Sequence, residues 1–243
     1  TVLLETGMVE IHEPETTLRL EAAAGVVEVT ARCRDGRCES VELTNVPCFA
    51  DRLDAQLDVL GIGTITVDVA FGGMWYAIAD AEALGFALDP AEARELSRVG
   101  ELIRVAAREQ LPCVHPENPN IAGVSIVEIA EPWRGAGEVS KNAVVVSPGR
   151  LDRHRVVGAD GGAARARADA RRRRDDARLR HRLDVDGRIV SETTVGDRSA
   201  IVPAIRGRAW ITGITQVFVD PTDPFPEGYL LSDTWPGDDV QAR

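Results

Sequence analysis

The fold is decided by residues 141–213, where two strand-like segments flank a segment of very different composition. The first flank, KNAVVVSPGRLDR (141–153), is a short apolar run that ends in a turn, and the second, DGRIVSETTVGDRSAIVPAIRGRAWITG (186–213), is again patterned like strands. Between them lies HRVVGADGGAARARADARRRRDDARLRHRLDV (154–185), which matches neither neighbour. The flanks therefore predict β-sheet, and the segment between them predicts an interruption.

Outside this stretch, the composition is that of a globular protein rich in strands and turns. The chain has 243 residues, of which 44% are hydrophobic, enough for one large domain or two small ones. Its 22 Gly and 13 Pro fall between short patterned runs, as in proteins with few helices. No run approaches the length of a membrane span and no signal segment opens the chain, so we expect a cytoplasmic location.

The charge is acidic overall but unevenly distributed. A net charge of −11 argues against nucleic-acid binding by the chain as a whole. Residues 163–182, however, hold nine Arg and three Asp. We expect this Arg-rich window to be a solvated segment, partly helical or disordered. A non-catalytic protein that uses the window to bind an acidic partner or nucleic acid is the second hypothesis.

The cysteines are too few and too scattered for a disulfide scaffold: Cys33, Cys38, Cys48 and Cys113. The alternation over residues 27–43 predicts a hairpin whose three-residue loop, with Gly36 in the left-handed conformation, pairs Val29 with Val41. That register places Cys33 and Cys38 on opposite faces. We therefore expect structural roles for both, with no disulfide and no metal site.

One helix is predicted with a clear beginning and end. Asp89 is a suitable N-cap, Pro90 suits the first turn, Glu92 completes a capping box and Pro112 lies beyond the end. The predicted buried stripe follows the helical period: Leu96, Val99, Leu102, Ile103 and Ala106. Near the end of the chain, residues 210–219 are predicted to form a strand.

The loop LPCVHPENPNIAGV (111–124) contains two residues of chemical interest. Cys113 and His115 point the same way on an extended chain, as a nucleophile and its base would, but no third orienting group is identifiable. The favoured alternative is a proline-fixed loop that packs against a domain edge.

Eight segments together resemble the proline racemase family, which includes hydroxyproline epimerases and trans-3-hydroxyproline dehydratases. They cover most of residues 1–153 and 187–231, in the family's order, so the resemblance is far more specific than a single motif. The matching segments are TVLLETGMV (1–9), ARCRDGRCESVELTNVP (31–47), VDVAFGGMWYAIADA (67–81), VHPENPNIAGV (114–124), KNAVVVSPGRLDR (141–153), GRIVSETTVG (187–196), GRAWITG (207–213) and DPTDPFPEGYLL (220–231).

The resemblance implies an α+β fold of the diaminopimelate-epimerase type, with two pseudo-symmetric domains that are each a curved sheet around a central helix. We assign residues 1–50 to an N-terminal domain that we expect to be incomplete, and residues 51–235 to the C-terminal domain. A return of the last strands to the first domain is left open. Residues 154–186 are an aberrant Arg-rich segment of the second domain, and residues 236–243 form a polar tail.

The family's activity is cofactor-independent proton exchange at Cα of proline or hydroxyproline. Two facing cysteines remove the proton from one side and return it from the other, each at a helix N-terminus. The first family cysteine lies in a Met-Cys-Gly-His motif upstream of the segment that residues 1–9 match, and this chain begins after it. The second follows Asp-Arg-Ser-Pro. Here Asp152 and Arg153 match, but Val156 or Val157 stands in place of the cysteine, or of the threonine of dehydratases.

The resemblance therefore places no catalytic cysteine at either motif, and it implies no cofactor and no metal. Asp152 is the surviving motif residue, and the family implies that it contacts the substrate's amino group; the alternative is a turn or N-cap aspartate. Ile126 stands where some members carry a histidine. We expect a racemase, epimerase or dehydratase relative whose own catalysis is impaired, with proline or hydroxyproline as the family's small-molecule substrate.

Two further expectations concern the unusual segment and assembly. We explain residues 154–186 by a hypothesis of two compensating frameshifts, because Arg, Ala, Asp and Gly are the residues that GC-rich codons give in a wrong frame. An incomplete first domain would expose apolar sheet, so we expect aggregation or a homodimer.

Overall fold

The computed structural model describes residues 1–22, 25–132, 141–152 and 186–226. Strands dominate this part of the chain, with two α-helices and a 3-10 turn at Pro90–Glu92. In chain order, the elements are α1 (Val2–Glu5), β1 (Glu15–Ala22), β2 (Gly25–Arg34), β3 (Arg37–Thr44), β4 (Phe49–Val59), β5 (Gly63–Phe71), β6 (Trp75–Asp80), α2 (Ala93–Gln110), β7 (Val114–His115), β8 (Asn118–Ala122), β9 (Ile126–Ala130), β10 (Asn142–Val146), β11 (Arg150–Asp152), β12 (Asp186–Val195) and β13 (Arg198–Gly207).

The strands form two main sheets. One has five antiparallel strands in the order β1-β2-β3-β13-β12, so the late strands β12 and β13 lie beside the early strand β3. The other has six strands in the order β11-β10-β9-β6-β5-β4. Within it, β6 and β9 are parallel, and α2 lies in the connection between them, as parallel pairing requires a long crossover. The domain boundaries drawn from the sequence stay a prediction.

The main core lies between α2 and one face of the six-stranded sheet. The predicted helix is confirmed: Glu92 accepts a hydrogen bond from the Asp89 N–H at 2.9 Å, and the helix ends at Gln110. Leu102 packs at the edge of the core, and the other predicted stripe residues are buried in it. The largest fully buried side chains belong to this core: Trp75, Phe49, Phe71, Leu57 and Ile103.

The predicted register of the β2–β3 hairpin is wrong. Val29 pairs with Leu43, not Val41, and Cys33 lies directly opposite Cys38. The loop has two residues, Asp35 and Gly36, both with positive φ (52° and 71°), as a tight hairpin turn requires. A bulge after Arg32 restores the apolar pairing farther along the strands. The alternation of residues 27–43 contains no signal for this bulge, and without it the predicted register places the two cysteines on opposite faces.

The predicted strand over residues 210–219 is also not observed. Residues 208–220 have no regular secondary structure, and no described strand pairs with them. Ile214 and Phe218 are 91% and 82% exposed. The alternating pattern is present, but a strand needs a partner strand to satisfy its backbone groups. In the described part of the chain, no helix has the length and apolarity that a membrane span requires.

Candidate functional site

The surviving motif residue Asp152 is the last residue of β11, at one edge of the six-stranded sheet. It lies directly opposite Val144 of β10, and residues directly opposite one another project to the same face. Val144 belongs to a buried cluster with Tyr76 and Ile126 on the sheet face away from α2. We call this surface the Asp152 face. The Asp152 residue itself is exposed, so its carboxylate is at a solvent-accessible edge of that face.

Three carboxylates occupy one row across the Asp152 face. Pairing connects Asp68 to Ile78, Ile78 to Glu128, Glu128 to Val144 and Val144 to Asp152. Neighbouring strands are about 4.8 Å apart, so the backbones of Glu128 and Asp152, two strands apart, are separated by roughly 10 Å. The acidic residues are thus gathered by strand register although they are far apart in sequence.

The two carboxylates in the middle of the sheet are buried and hydrogen-bonded. Glu128 is fully buried, and its Oε1 accepts a hydrogen bond from Nδ2 of Asn142. Asp68 is 6% exposed, and its Oδ1 accepts a hydrogen bond from the Asp54 N–H at 2.9 Å, which fixes a bulge of β4. Because burying a carboxylate is costly, these hydrogen bonds are needed to keep such groups in the sheet.

The hydroxyl of Tyr76 interacts electrostatically with both the buried Glu128 and the exposed Asp152. Burial raises the pKa of its hydroxyl well above the usual value, and electrostatic interactions with Glu128, Cys48 and Asp152 raise the pKa further. The phenol therefore stays protonated and is a hydrogen-bond donor at neutral pH. The Asp152 face thus combines an exposed carboxylate, that of Asp152, with a buried hydroxyl that stays protonated, that of Tyr76.

None of the four thiols of the chain is set up as a base. All four cysteines are buried. Burial raises the pKa of Cys48 to about 12 and that of Cys113 to about 11, and it also raises the pKa of Cys33. Reactive cysteines need the opposite environment, partly exposed and electropositive, where the thiolate is stabilised.

The pair Cys113 and His115 is part of the packing of the proline-rich loop. Nδ1 of His115 accepts a hydrogen bond from the Glu117 N–H at 3.2 Å, and its ring lies 4.6 Å from that of Phe71. Glu117 Oε1 accepts a hydrogen bond from the Gly196 N–H at 3.1 Å, which connects the loop to the β12–β13 turn. These contacts agree with the interpretation of a proline-fixed packing loop, and they place it against both Phe71 and the β12–β13 turn.

Ile126 is the other residue singled out by the family resemblance whose position the structure describes. Ile126 is buried in the apolar cluster of the Asp152 face, between Tyr76 and Val146. Arg153, Val156 and Val157, the Arg-rich segment and the tail at 236–243 lie outside the described residues. Within the described ranges, no three His, Cys, Asp or Glu side chains come together as metal ligands would.

This chain is similar to members of one known family. The family model described as proline racemase matches residues 1–230. The chain belongs to the proline racemase family. A solved probable proline racemase from Agrobacterium radiobacter K84, with bound carbonate, is 38% identical with a TM-score of 0.81, over 97% of this chain and 70% of that one. A hydroxyproline epimerase from Agrobacterium vitis, with bound trans-4-OH-L-proline, is 39% identical with a TM-score of 0.81, over 97% of this chain and 68% of that one.

These relatives confirm the family and the α+β fold class that the sequence predicted for this proline racemase family member. The buried Glu128 was not singled out from the sequence. In SIVEIA (125–130) it reads as a polar residue on the solvent side of a strand. The sequence feature that could have indicated a buried partner for Glu128 is Asn142, a polar residue at the start of the apolar run of the neighbouring strand.

Proposed function

We propose that this chain is a proline racemase family protein that binds a cyclic imino acid and does not catalyse proton exchange at Cα. The observation that carries the proposal is the state of its thiols. All four cysteines are buried, and burial raises the pKa of Cys33, Cys48 and Cys113. A two-base mechanism needs one thiolate and one thiol facing the substrate, and the raised pKa values of Cys33, Cys48 and Cys113 disfavour a thiolate at these three positions. Cys38 is buried in the other sheet, away from the Asp152 face.

The sequence at the second family motif supports the same conclusion. After Asp152 and Arg153 the chain reads His-Arg-Val-Val-Gly, so a valine stands in place of the family cysteine. A valine side chain has no titratable proton. Positioning of a substrate would survive this change, but positioning does not replace the missing base.

The proposed ligand class follows from Asp152 and from the relatives. The epimerase from A. vitis was solved with bound trans-4-OH-L-proline, a secondary amine that is positively charged at neutral pH. An exposed carboxylate at the edge of an acidic face is suited to pair with such an ammonium group. We assign this contact to Asp152, with Tyr76 and Glu128 contributing to the field behind it.

Two alternative functions differ from this proposal in what they predict. A trans-3-hydroxyproline dehydratase would remove water from its substrate, and a binding protein that uses residues 154–186 would recognise an acidic partner with steep salt dependence. No described residue favours either one over imino-acid binding.

The experiment combines binding and turnover in one NMR sample. The folded protein is incubated in heavy water with L-proline, 4-hydroxyproline and 3-hydroxyproline. Saturation-transfer signals on a substrate ring without deuterium uptake at Cα support the proposal. Uptake at Cα contradicts the loss of catalysis, loss of 3-hydroxyproline to an unsaturated ring indicates the dehydratase, and absence of saturation transfer contradicts binding.

A further inference from the structure

The β2–β3 hairpin brings two cysteines into direct cross-strand opposition. Cys33 pairs with Cys38, one step from the two-residue turn. The Cys33 N–H donates to Pro14 O at 2.9 Å, and the Cys38 N–H donates to Glu5 Oε1 at 3.1 Å, so both donors point away from the partner strand. This is the pattern of a non-hydrogen-bonded antiparallel pair, in which Cα atoms are about 4.5 Å apart. That separation lies within the range for disulfides, roughly 4.4–6.8 Å.

Both side chains lie on the same buried face. Cys33 and Cys38 belong to one apolar cluster with Leu4 and Ala31. The Cys38 sulfur lies 3.7 Å from Thr1 Oγ1 and 3.8 Å from the carbonyl oxygen of Ser40. The Cys33 sulfur is 3.8 Å from Thr16 Oγ1. Each thiol is thus held in place by packing and weak hydrogen bonds, beside the other thiol.

We propose that Cys33 and Cys38 are a redox-active pair that closes to a reversible cross-strand disulfide when the protein meets a small-molecule disulfide such as oxidised glutathione. The pair is separate from the Asp152 face, which lies on the other sheet. The site is a modification site, and its reactant is a low-molecular-weight disulfide.

The chemistry balances in two exchange steps. The Cys38 thiolate attacks one sulfur of the small disulfide, which forms a mixed disulfide and releases one thiolate that takes up a proton. The Cys33 thiolate then attacks the Cys38 sulfur, closes the protein disulfide and releases the second small thiol. Two protein thiols lose two electrons and two protons, and one small disulfide is reduced to two thiols. The two thiols are both buried, at 4% and 8% exposure, and the same two steps balance with either cysteine as the first nucleophile.

Access to the pair is controlled by α1. Leu4 of this four-residue helix is 3% exposed and belongs to the same buried cluster as the two cysteines. Glu5 holds the helix to the hairpin through the Cys38 N–H and Arg37. A helix this short has little stability of its own and depends on these contacts. Local opening of α1 therefore exposes the thiols without unfolding the sheet.

The test uses the whole folded chain. The protein is equilibrated with mixtures of reduced and oxidised glutathione, quenched in acid and alkylated, and its mass is measured before and after tryptic digestion. Trypsin cleaves after Arg32, Arg34 and Arg37, on both sides of the two-residue loop, so a closed pair appears as peptide 33–34 joined to peptide 38–52. Because peptide 38–52 also contains Cys48, fragmentation of the joined peptides assigns the link to Cys38. We expect loss of two hydrogen atoms, loss of two alkylation sites, and full recovery of both sites after treatment with a thiol reductant.

Variants assign the linkage. Cys38→Ser should abolish the closed form and leave at most a glutathione adduct, whereas Cys113→Ser, a change at an equally buried cysteine outside the pair, should leave closure unchanged. The wild-type measurement decides the question even if a variant fails to fold. Free Cys33 and Cys38 at the most oxidising ratio, stable glutathione adducts without closure, or a link from Cys38 to Cys48 would each overturn the proposal.

Discussion

Glu128 and Asp152 lie in one row of the six-stranded sheet, with Val144 between them. Val144 of β10 pairs with Glu128 of β9 on one side and with Asp152 of β11 on the other. The first is fully buried and the second is exposed, so the row runs from a buried, hydrogen-bonded carboxylate to an accessible one. This arrangement places an accessible carboxylate at the residue that the family resemblance assigns to the substrate's amino group.

The Asp152→Asn variant tests the accessible end of this row. Removal of the charge should weaken imino-acid binding at least about tenfold, because an uncharged amide no longer pairs with an ammonium group. The free energy of unfolding should change by no more than about 0.5 kcal/mol, since the residue is exposed. Titration of 4-hydroxyproline by NMR measures the affinity. Asp35→Asn, an exposed carboxylate on the other sheet, is the matched control, and equal affinity in both variants would exclude Asp152 from the site.

The Asn142→Ala variant tests the buried end of the row. The substitution removes the amide that donates to Glu128 Oε1, and the loss of a donor to a buried carboxylate costs about 1–3 kcal/mol. Urea denaturation followed by circular dichroism gives the change in the free energy of unfolding. Asn120→Ala, at an exposed asparagine, should cost much less. An equal cost for the two variants would show that the Asn142–Glu128 hydrogen bond does not stabilise the sheet.

The contact between α2 and β10 gives a prediction about packing. A Cβ atom placed on Gly100 would lie 2.7 Å from Cβ of Val145, closer than packed atoms approach. Alanine normally stabilises a helix by about 1 kcal/mol relative to glycine, but here the overlap should make Gly100→Ala destabilising by about 1–3 kcal/mol. Gly213→Ala, which meets no atom within 4 Å, should be near neutral.

A double-mutant cycle separates this overlap from other effects of the alanine. Combining Gly100→Ala with Val145→Ala should cost less than the sum of the two single variants, because the smaller residue 145 makes room. Strictly additive costs, measured by the same urea titrations, would contradict close packing at this point.

The buried thiols predict a pH dependence at the alkaline end. The pKa of Cys48 is raised by burial from 9.0 to about 12, so between these values the folded protein keeps a proton that the unfolded chain releases. The stabilising contribution is therefore complete below pH 9 and is lost as the pH rises towards 12. The free energy of unfolding, measured from pH 8 to 11, should fall less steeply in Cys48→Ala than in the wild type. Identical slopes would show that this thiol ionises normally in the folded chain.

The sequence predicted those parts of the fold that depend on local signals. The capped helix α2 and the alternating strands were recognised because their patterns are read within a few residues, and the family was recognised from segments spread along the chain. The register of β2 and β3 was predicted wrongly, because the bulge after Arg32 depends on pairing along the whole hairpin. Residues 210–219 have a strand's pattern, but pattern alone does not supply a partner strand.

The candidate site was predictable only in part. Asp152 was found because it lies in a recognisable motif. Glu128 was missed because its burial depends on the strands on both sides of β9, and its place in the row with Asp68 and Asp152 depends on sheet order. Such relationships between distant strands arise from tertiary pairing and have no local sequence signal.

The most direct test of the account is deuterium exchange at Cα. The folded protein and the A. vitis hydroxyproline epimerase are incubated separately in heavy water with L-proline and 4-hydroxyproline, and the α-hydrogen signal is followed by NMR. The account predicts no uptake above the buffer blank for this chain, under conditions in which the epimerase exchanges its substrate and this chain's thermal unfolding transition is intact. Uptake above the blank would contradict the central claim and show that another group of this chain serves as the base.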